Sequence, residues 1–260
     1  MKKKKLKKIG VIILAVFAVL MIACIVYVKD YYHSDETVTD FLTGTETVSV
    51  TEIGNGLFLD GPGEETAMIF YPGAKVEYTA YLPLFTNLAE QGIDCFLLKM
   101  PGNLAVFGKN RADDVLENYE YESWILAGHS LGGAMAASYA SEHPKELDGL
   151  ILLAAYPTKS LTAGQLFVQS IYGSEDWVLN MQKLEDGRQY MPENYSEICI
   201  NGGNHAGFGA YGEQKGDGKA KINREEQWEK TVDAIRDACL ANGIGEEKQS
   251  RQYSDMEAVS

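Results

Sequence analysis

Six largely apolar runs punctuate residues 67–200: AMIFY (67–71), IDCFLLK (93–99), SWILA (123–127), LDGLILLAA (147–155), LFVQSIY (166–172) and EICI (197–200). A strand with one wet face alternates apolar and polar residues, whereas these runs stay apolar, so both faces are expected to be covered. The segments between them read as helices. Residues 83–91 open on a proline suited to a first turn and stop before Gly92; a second stretch lies near 111–119, and a third, 131–141, stops before Pro144. A final helix is expected where Trp228, Val232, Ile235 and Cys239 recur at helical spacing, behind Asn223 and Glu226 in capping-box positions. Strand alternating with helix implies a mostly parallel sheet with helices on both faces. Ahead of it, TVSVTEI and LFLDG flank Gly54-Asn55-Gly56, which reads as an antiparallel hairpin because both residue types tolerate positive φ.

Within this pattern the stretch LAGHSLGGAM (126–135) places Ser130 between Gly128 and Gly132, where an apolar run meets a small-residue run. SWILA is a strand and LGGAMAASYA a helix, so Ser130 falls on the turn between them. A sharp turn there holds the hydroxyl out at the carboxyl edge of the sheet, and small flanking residues let strand and helix approach. The helix start adds N–H groups and a positive dipole beside it. A neutral serine is a weak nucleophile, so it requires a base and an acid.

The chain has four histidines. His33 precedes the sheet, His129 shares the serine's turn and points elsewhere, and His143 ends the following helix. His205, in GGNHAGFG just past EICI, sits on a loop at the same carboxyl edge and is the candidate base. The acid is expected between Ser130 and His205. Asp176, in GSED just past LFVQSIY, is the candidate and neighbouring Glu175 its rival; a shorter carboxylate is easier to lock in place and to fix the imidazole tautomer. Donors to a developing oxyanion would be the backbone N–H groups of Leu131 and of Ala74, the latter in Tyr71-Pro72-Gly73-Ala74 after AMIFY. No HExxH or clustered metal-ligand spacing occurs, so neither metal nor cofactor is implied.

The ends of the chain carry a different signal. Residues 9–28 form an uncharged run of 20, enough for a helix to cross a bilayer core. Six lysines in residues 1–8 place that end in the cytoplasm and the remainder outside. Cleavage as a secretory signal, or lipidation at Cys24, are the alternatives. The resulting division is a basic segment 1–8, a membrane anchor 9–28, a polar stalk 29–46, the α/β domain 47–242 and a polar tail 243–260. Formal net charge is −14 despite those lysines, which disfavours binding to nucleic acid. Cys24, Cys95, Cys199 and Cys239 show no CxxC spacing and read as buried free thiols, with a Cys95–Cys199 disulfide the alternative.

GHSLGG, GSED and GGNH occur in the order, and after the strands, of an α/β-hydrolase. The chain resembles that superfamily over about residues 47–242, and more narrowly its compact serine hydrolases related to dienelactone hydrolases. The resemblance implies an α/β-hydrolase fold and an esterase mechanism through Ser130, His205 and Asp176 with a covalent acyl-enzyme. Residues 208–227 also look like the family's region after the histidine, where Tyr211, Gln214 and Asp217 would shape the rim. Two departures stand out: dienelactone hydrolases proper use cysteine, and the loop before Ala74 lacks the His-Gly-Gly form of many lipases. Only residues 156–164 separate two strand runs, too few for a large cap, so an open site for small or exposed acyl substrates is expected. An amidase, peptidase or acyltransferase would use the same residues, and an idle hydrolase fold serving as a binding module is the remaining alternative.

Overall fold

In a computed structural model, residues 2–245 are described, with side chains from residue 7 onward. The sequence runs become β3 (Thr66–Tyr71), β4 (Asp94–Leu98), β5 (Ser123–His129), β6 (Gly149–Leu153), β7 (Phe167–Gly173) and β8 (Tyr195–Ile200), preceded by β1 (Ser49–Ile53) and β2 (Gly56–Asp60). They form one sheet of order β1-β2-β4-β3-β5-β6-β7-β8. The β1-β2 and β2-β4 pairs are antiparallel and every other pair is parallel. Helices α1 (Lys2–Lys29), α2 (Leu82–Ala89), α3 (Arg111–Leu116), α4 (Leu131–Glu142), α5 (Met181–Gly187) and α6 (Arg224–Ala241) complete the fold.

The expectation of two covered faces holds for the central strands, and their side chains sort by the period of two. On β3 and β4, Met68, Phe70, Cys95 and Leu97 pack with α2 and α6, while Ala67, Ile69, Tyr71, Phe96 and Leu98 pack with α3 and α4. Strand β8 departs from it. As the last strand it lies at the sheet's edge, and Ile198 and Cys199 are exposed. Cys199, like Cys24 on α1, is therefore not the buried thiol its apolar surroundings suggested. All four cysteines are free, and no Cys95–Cys199 bond forms.

The hairpin forms with a two-residue loop but not by the expected route, since neither Gly54 nor Asn55 has a positive φ. Tertiary contacts hold the turn instead: the Asn55 side chain donates to Asp114 and its carbonyl accepts from the Lys99 N–H. In α6 the Asn223 side chain accepts from the Glu226 N–H at 2.7 Å, a cap worth about 1 kcal/mol. Trp228, Val232, Ile235 and Cys239 are all buried beneath it. Helix α3 stops at Leu116, short of the expected 119, and Tyr119 turns inward against the rings of Phe58 and Phe96. Polar helix α5, capped by Asn180, had no apolar periodicity to announce it. No helix interrupts residues 154–166 between β6 and β7, so no large cap forms there.

Residues 29–46 lie along the domain rather than standing clear as a stalk. Tyr32 bridges to Val76 in parallel fashion, Val38 enters the core, and Arg224 pairs with Asp35 at the start of a short 3₁₀ turn. In the basic segment 1–8, Met1 is outside the described residues, as are residues 246–260 of the polar tail.

Candidate active site

Ser130 follows β5 directly and precedes α4. Its φ of 53° and ψ of −121° belong to a region that L residues occupy only when the surroundings enforce it. The glycines on either side make that turn possible. A Cβ on Gly128 would sit 2.6 Å from backbone atoms of Gly132 and Gly133, and one on Gly132 would sit 2.2 Å from the Tyr71 carbonyl oxygen. Small residues at these positions bring the α4 start onto the ends of β5 and β3 and leave Ser130 half-exposed at the carboxyl edge.

Asp176 lies three residues past β7 and His205 five residues past β8, on adjacent strands of the same edge. His205 Nδ1 meets Asp176 Oδ2 at 2.8 Å, with both side chains essentially excluded from solvent. The other carboxylate oxygen accepts from the Val178 and Leu179 N–H groups at 2.9 and 2.8 Å. Asp176 is thus locked by its own loop as an Asx turn, with one oxygen left for the imidazole. His205 Nε2 is buried without a hydrogen-bond partner among the described residues. It and Ser130 line one half-open cavity of about 100 Å³, whose other walls include Ala154, Tyr156, Val178 and Leu179. At ~30 Å³ per water-sized group, that space holds a group of only a few heavy atoms. Larger clefts occur, notably one of about 820 Å³ bordered by Glu90 and Arg236, but neither Ser130 nor His205 lines it.

The rival carboxylate is placed differently. Glu175 points outward to Lys221 at 2.6 Å, which together with Ser174 holds its carboxyl below the usual range. Leu131 opens α4, and Ala74 is half-buried in the loop after β3. Neither N–H has a backbone acceptor among the described residues. The neighbouring Gly73 N–H is taken by the Tyr81 hydroxyl at 3.1 Å. A Cβ on Gly73 would lie 2.8 Å from His129 Nδ1, so glycine there lets the loop close over the buried pair.

That pair was not legible in the motifs. His129 does turn away from the serine, but into the core, where Nδ1 and the Tyr81 hydroxyl are 2.8 Å apart. The His129 and His205 rings come within 4.5 Å, centroid to centroid. Burial first, and the neighbouring His205 second, push the His129 pKa well below the usual histidine range, so it stays neutral.

Asp217, expected at the rim, does more than line it. One carboxylate oxygen accepts from the Ala206 N–H at 2.8 Å, and the other accepts from Gly218 and, at 3.4 Å, from Trp177. A single side chain therefore ties the residue after His205 to the residue after Asp176. Gln227, on the first turn of α6, reads Asn204 from the other side, accepting from its N–H and donating to its carbonyl. Tyr211 is buried and donates to Gln214. Away from this edge, Asp113, His143 and Glu146 bring ligand-type atoms within 4.8 Å of one another near the far end of α4. Tyr139 and His143 already hydrogen-bond their carboxylates.

A family model described as the alpha/beta hydrolase family matches residues 67–229. Solved structures of similar shape include MGS-MChE2, an alpha/beta hydrolase enzyme from a lagoon-sediment metagenome (TM-score 0.58, 14% identity, 75% of this chain and 99% of that one). TT1662 from Thermus thermophilus (0.55, 12%, 74% and 98%) and mouse alpha/beta hydrolase domain-containing protein 10 (0.53, 13%, 74% and 99%) share the same fold. A protein of Mycobacterium phage D29 described as a non-heme haloperoxidase is 28% identical over 118 residues, 42% of this chain. The match spans only 39% of that relative's length.

Proposed function

From the chain's membership of the alpha/beta hydrolase family, we propose that it is a serine hydrolase that cleaves a carboxylic ester through Ser130, His205 and Asp176. The observation that carries this reading is the 2.8 Å contact of His205 Nδ1 with Asp176, which leaves Nε2 unpaired on the cavity that Ser130 lines. Asp176 accepts from Nδ1–H and so keeps the Nε2 lone pair directed into the cavity. Ser130 Oγ attacks the acyl carbon as its proton passes to Nε2, and the carbonyl oxygen gains the negative charge. The Leu131 and Ala74 N–H groups receive that charge. Collapse breaks the bond to the alcohol oxygen, which takes the proton from His205. Water then gives a proton to His205, attacks the acyl-enzyme and releases the acid, with the proton returning to Ser130.

We further infer that α1 anchors the enzyme in a membrane with the hydrolase domain outside the cytoplasm. Residues 7–29 reach a mean hydropathy of 3.3 over their most apolar window and bury none of it against the domain, which a core helix would do. Two experiments test the pair of readings. A fluorophosphonate probe should label the full chain in detergent and fail to label Ser130→Ala; equal labelling of both removes the serine mechanism. A membrane-impermeant maleimide added to intact cells should modify Cys199, the exposed thiol of the domain, and failure to do so until lysis places the domain inside.

A further inference from the structure

We propose that the carboxyl edge of the sheet, with the mouth of the Ser130 cavity, lies against the bilayer that α1 enters. Its substrate would then be a short acyl ester whose alcohol portion is a bilayer-borne amphiphile. This rests on the serine-hydrolase reading for the chemistry, though not for the seating.

Three observations converge on that edge. The first is where α1 ends. Val28 packs on Gly102 in the loop after β4, and the Tyr27 ring lies 4.6 Å from Lys75 Nζ. Asp30 pairs with the same lysine at 2.7 Å, and Tyr32 joins the backbone on either side of Val76, receiving from Glu77 and donating to Lys75. Lys75 follows Ala74, and its own N–H donates to the Asn103 carbonyl. The membrane helix therefore docks on the two loops that follow β3 and β4, which belong to the active-site edge.

The second is where apolar surface remains exposed. Outside α1, eight large hydrophobic residues among the described ones are exposed, and five of them sit on two segments of this edge: Val106 and Phe107 after β4, and Trp177, Val178 and Met181 between β7 and the start of α5. Phe107 is 67% and Trp177 73% exposed, values a soluble surface seldom gives to aromatic side chains in such company. Val106 and Phe107 belong to a 3₁₀ turn packed on α4, the helix that starts at Ser130, and Trp177 follows Asp176. The second loop lines the Ser130 cavity through Val178, and the first continues from Gly102, where α1 ends. Aromatic side chains with apolar neighbours are what a lipid–water interface accepts. Tethering by α1 makes seating intramolecular, so a few such contacts suffice against the acidic surface.

The third is the cavity itself. At about 100 Å³ it accommodates a short acyl group and little more. If the edge faces lipid, the long apolar part of a substrate has no room beyond Ser130 and must lie on the leaving-group side, along the rim.

The full chain, reconstituted in phosphatidylcholine vesicles, tests both parts. Trp124 lies at the amino end of β5, the opposite edge, and Trp228 is buried, so lipids brominated in their acyl chains should quench Trp177 selectively. Quenching that disappears in Trp177→Phe supports the seating, and quenching of equal depth in wild type and variant overturns it. For the substrate class, hexadecyl acetate in the vesicles should be hydrolysed in preference to methyl palmitate. The pair Val106→Ser and Phe107→Ser should slow hexadecyl acetate by about tenfold or more while leaving water-soluble 4-nitrophenyl acetate unchanged. Preference for methyl palmitate, or an equal loss on both acetates, overturns it. Should neither acetate nor a fluorophosphonate react with the wild type, the hydrolase reading and the substrate class fall together, while bromolipid quenching still decides the seating.

Discussion

Asp176→Asn changes one atom, and the loop around it dictates what that atom does. In the native side chain one oxygen receives the Val178 and Leu179 N–H groups and the other faces His205 Nδ1. An asparagine has one carbonyl oxygen for these three positions. Turning its NH₂ toward Val178 and Leu179 would oppose two buried donors with a donor, each left unsatisfied at about 1–3 kcal/mol. Turning it toward His205 costs no such pair, because the imidazole can shift its proton to Nε2 and accept at Nδ1. The second arrangement wins, and it traps His205 in the tautomer that has no lone pair facing Ser130. A loss of about 10⁴ in kcat is expected, about 5.4 kcal/mol in the barrier. The assay is steady-state hydrolysis of 4-nitrophenyl acetate, with circular-dichroism melting to establish that the near-isosteric variant folds. A folded Asp176→Asn enzyme within tenfold of wild type would refute the reasoning, since Asp176 would then not be setting the tautomer.

Other perturbations separate neighbouring roles. Glu175→Gln removes the partner of the exposed Lys221 and should leave kcat/KM within about twofold, as surface ion pairs contribute little; a loss like that of Asp176→Asn would exchange the two assignments. Asp217→Ala strands the Ala206 N–H and should cost about 1–3 kcal/mol in urea denaturation, with kcat falling while KM is little changed. Gly132→Ala drives a methyl into the Tyr71 and Pro72 carbonyls and should lower stability by about 1–3 kcal/mol or prevent the turn from forming, read by thermal melting and probe labelling. His129 is held neutral when folded but takes up a proton when unfolded. Its contribution to stability is therefore intact above about pH 6.5 and is lost as pH falls below it, at up to about 1.4 kcal/mol per unit. Denaturation at pH 7.5 and 5.5 should show that dependence, and His129→Gln should flatten it.

The parts of this fold that depend on local pattern were legible in the sequence. Apolar runs marked the interior strands because both faces are buried there, and the Asn223 cap and the α6 stripe followed from helical spacing alone. The turn at Ser130 was legible for a related reason: closing a strand onto a helix so tightly demands glycines at fixed offsets, and that demand leaves a motif. What failed depended on neighbours far along the chain. EICI has the composition of an interior strand, yet only the sheet order makes it an edge and exposes Ile198 and Cys199. Residues 29–46 look like a polar linker, but Asp35 finds Arg224, 189 residues away. His129 and Tyr81 carry no shared motif; a 2.8 Å contact across 48 positions creates their pairing.

Asp217 shows the same distinction within the candidate site. Ser130, Asp176 and His205 can each be read as lying on the turn or loop after a strand, where the topology fixes their edge of the sheet. The relative position of the second and third is another matter. Both stand on loops, and loops at a sheet edge relax independently unless something spans them. Asp217 spans them, joining the backbone beside each residue through a single carboxylate, while Gln227 holds Asn204 from α6. A carboxylate so placed joins the backbone next to Asp176 to the backbone next to His205. Within the rim segment 208–227, Asp217 and Gln227 thus brace the loops through backbone groups, while Glu213, Lys215, Lys219 and Lys221 face solvent.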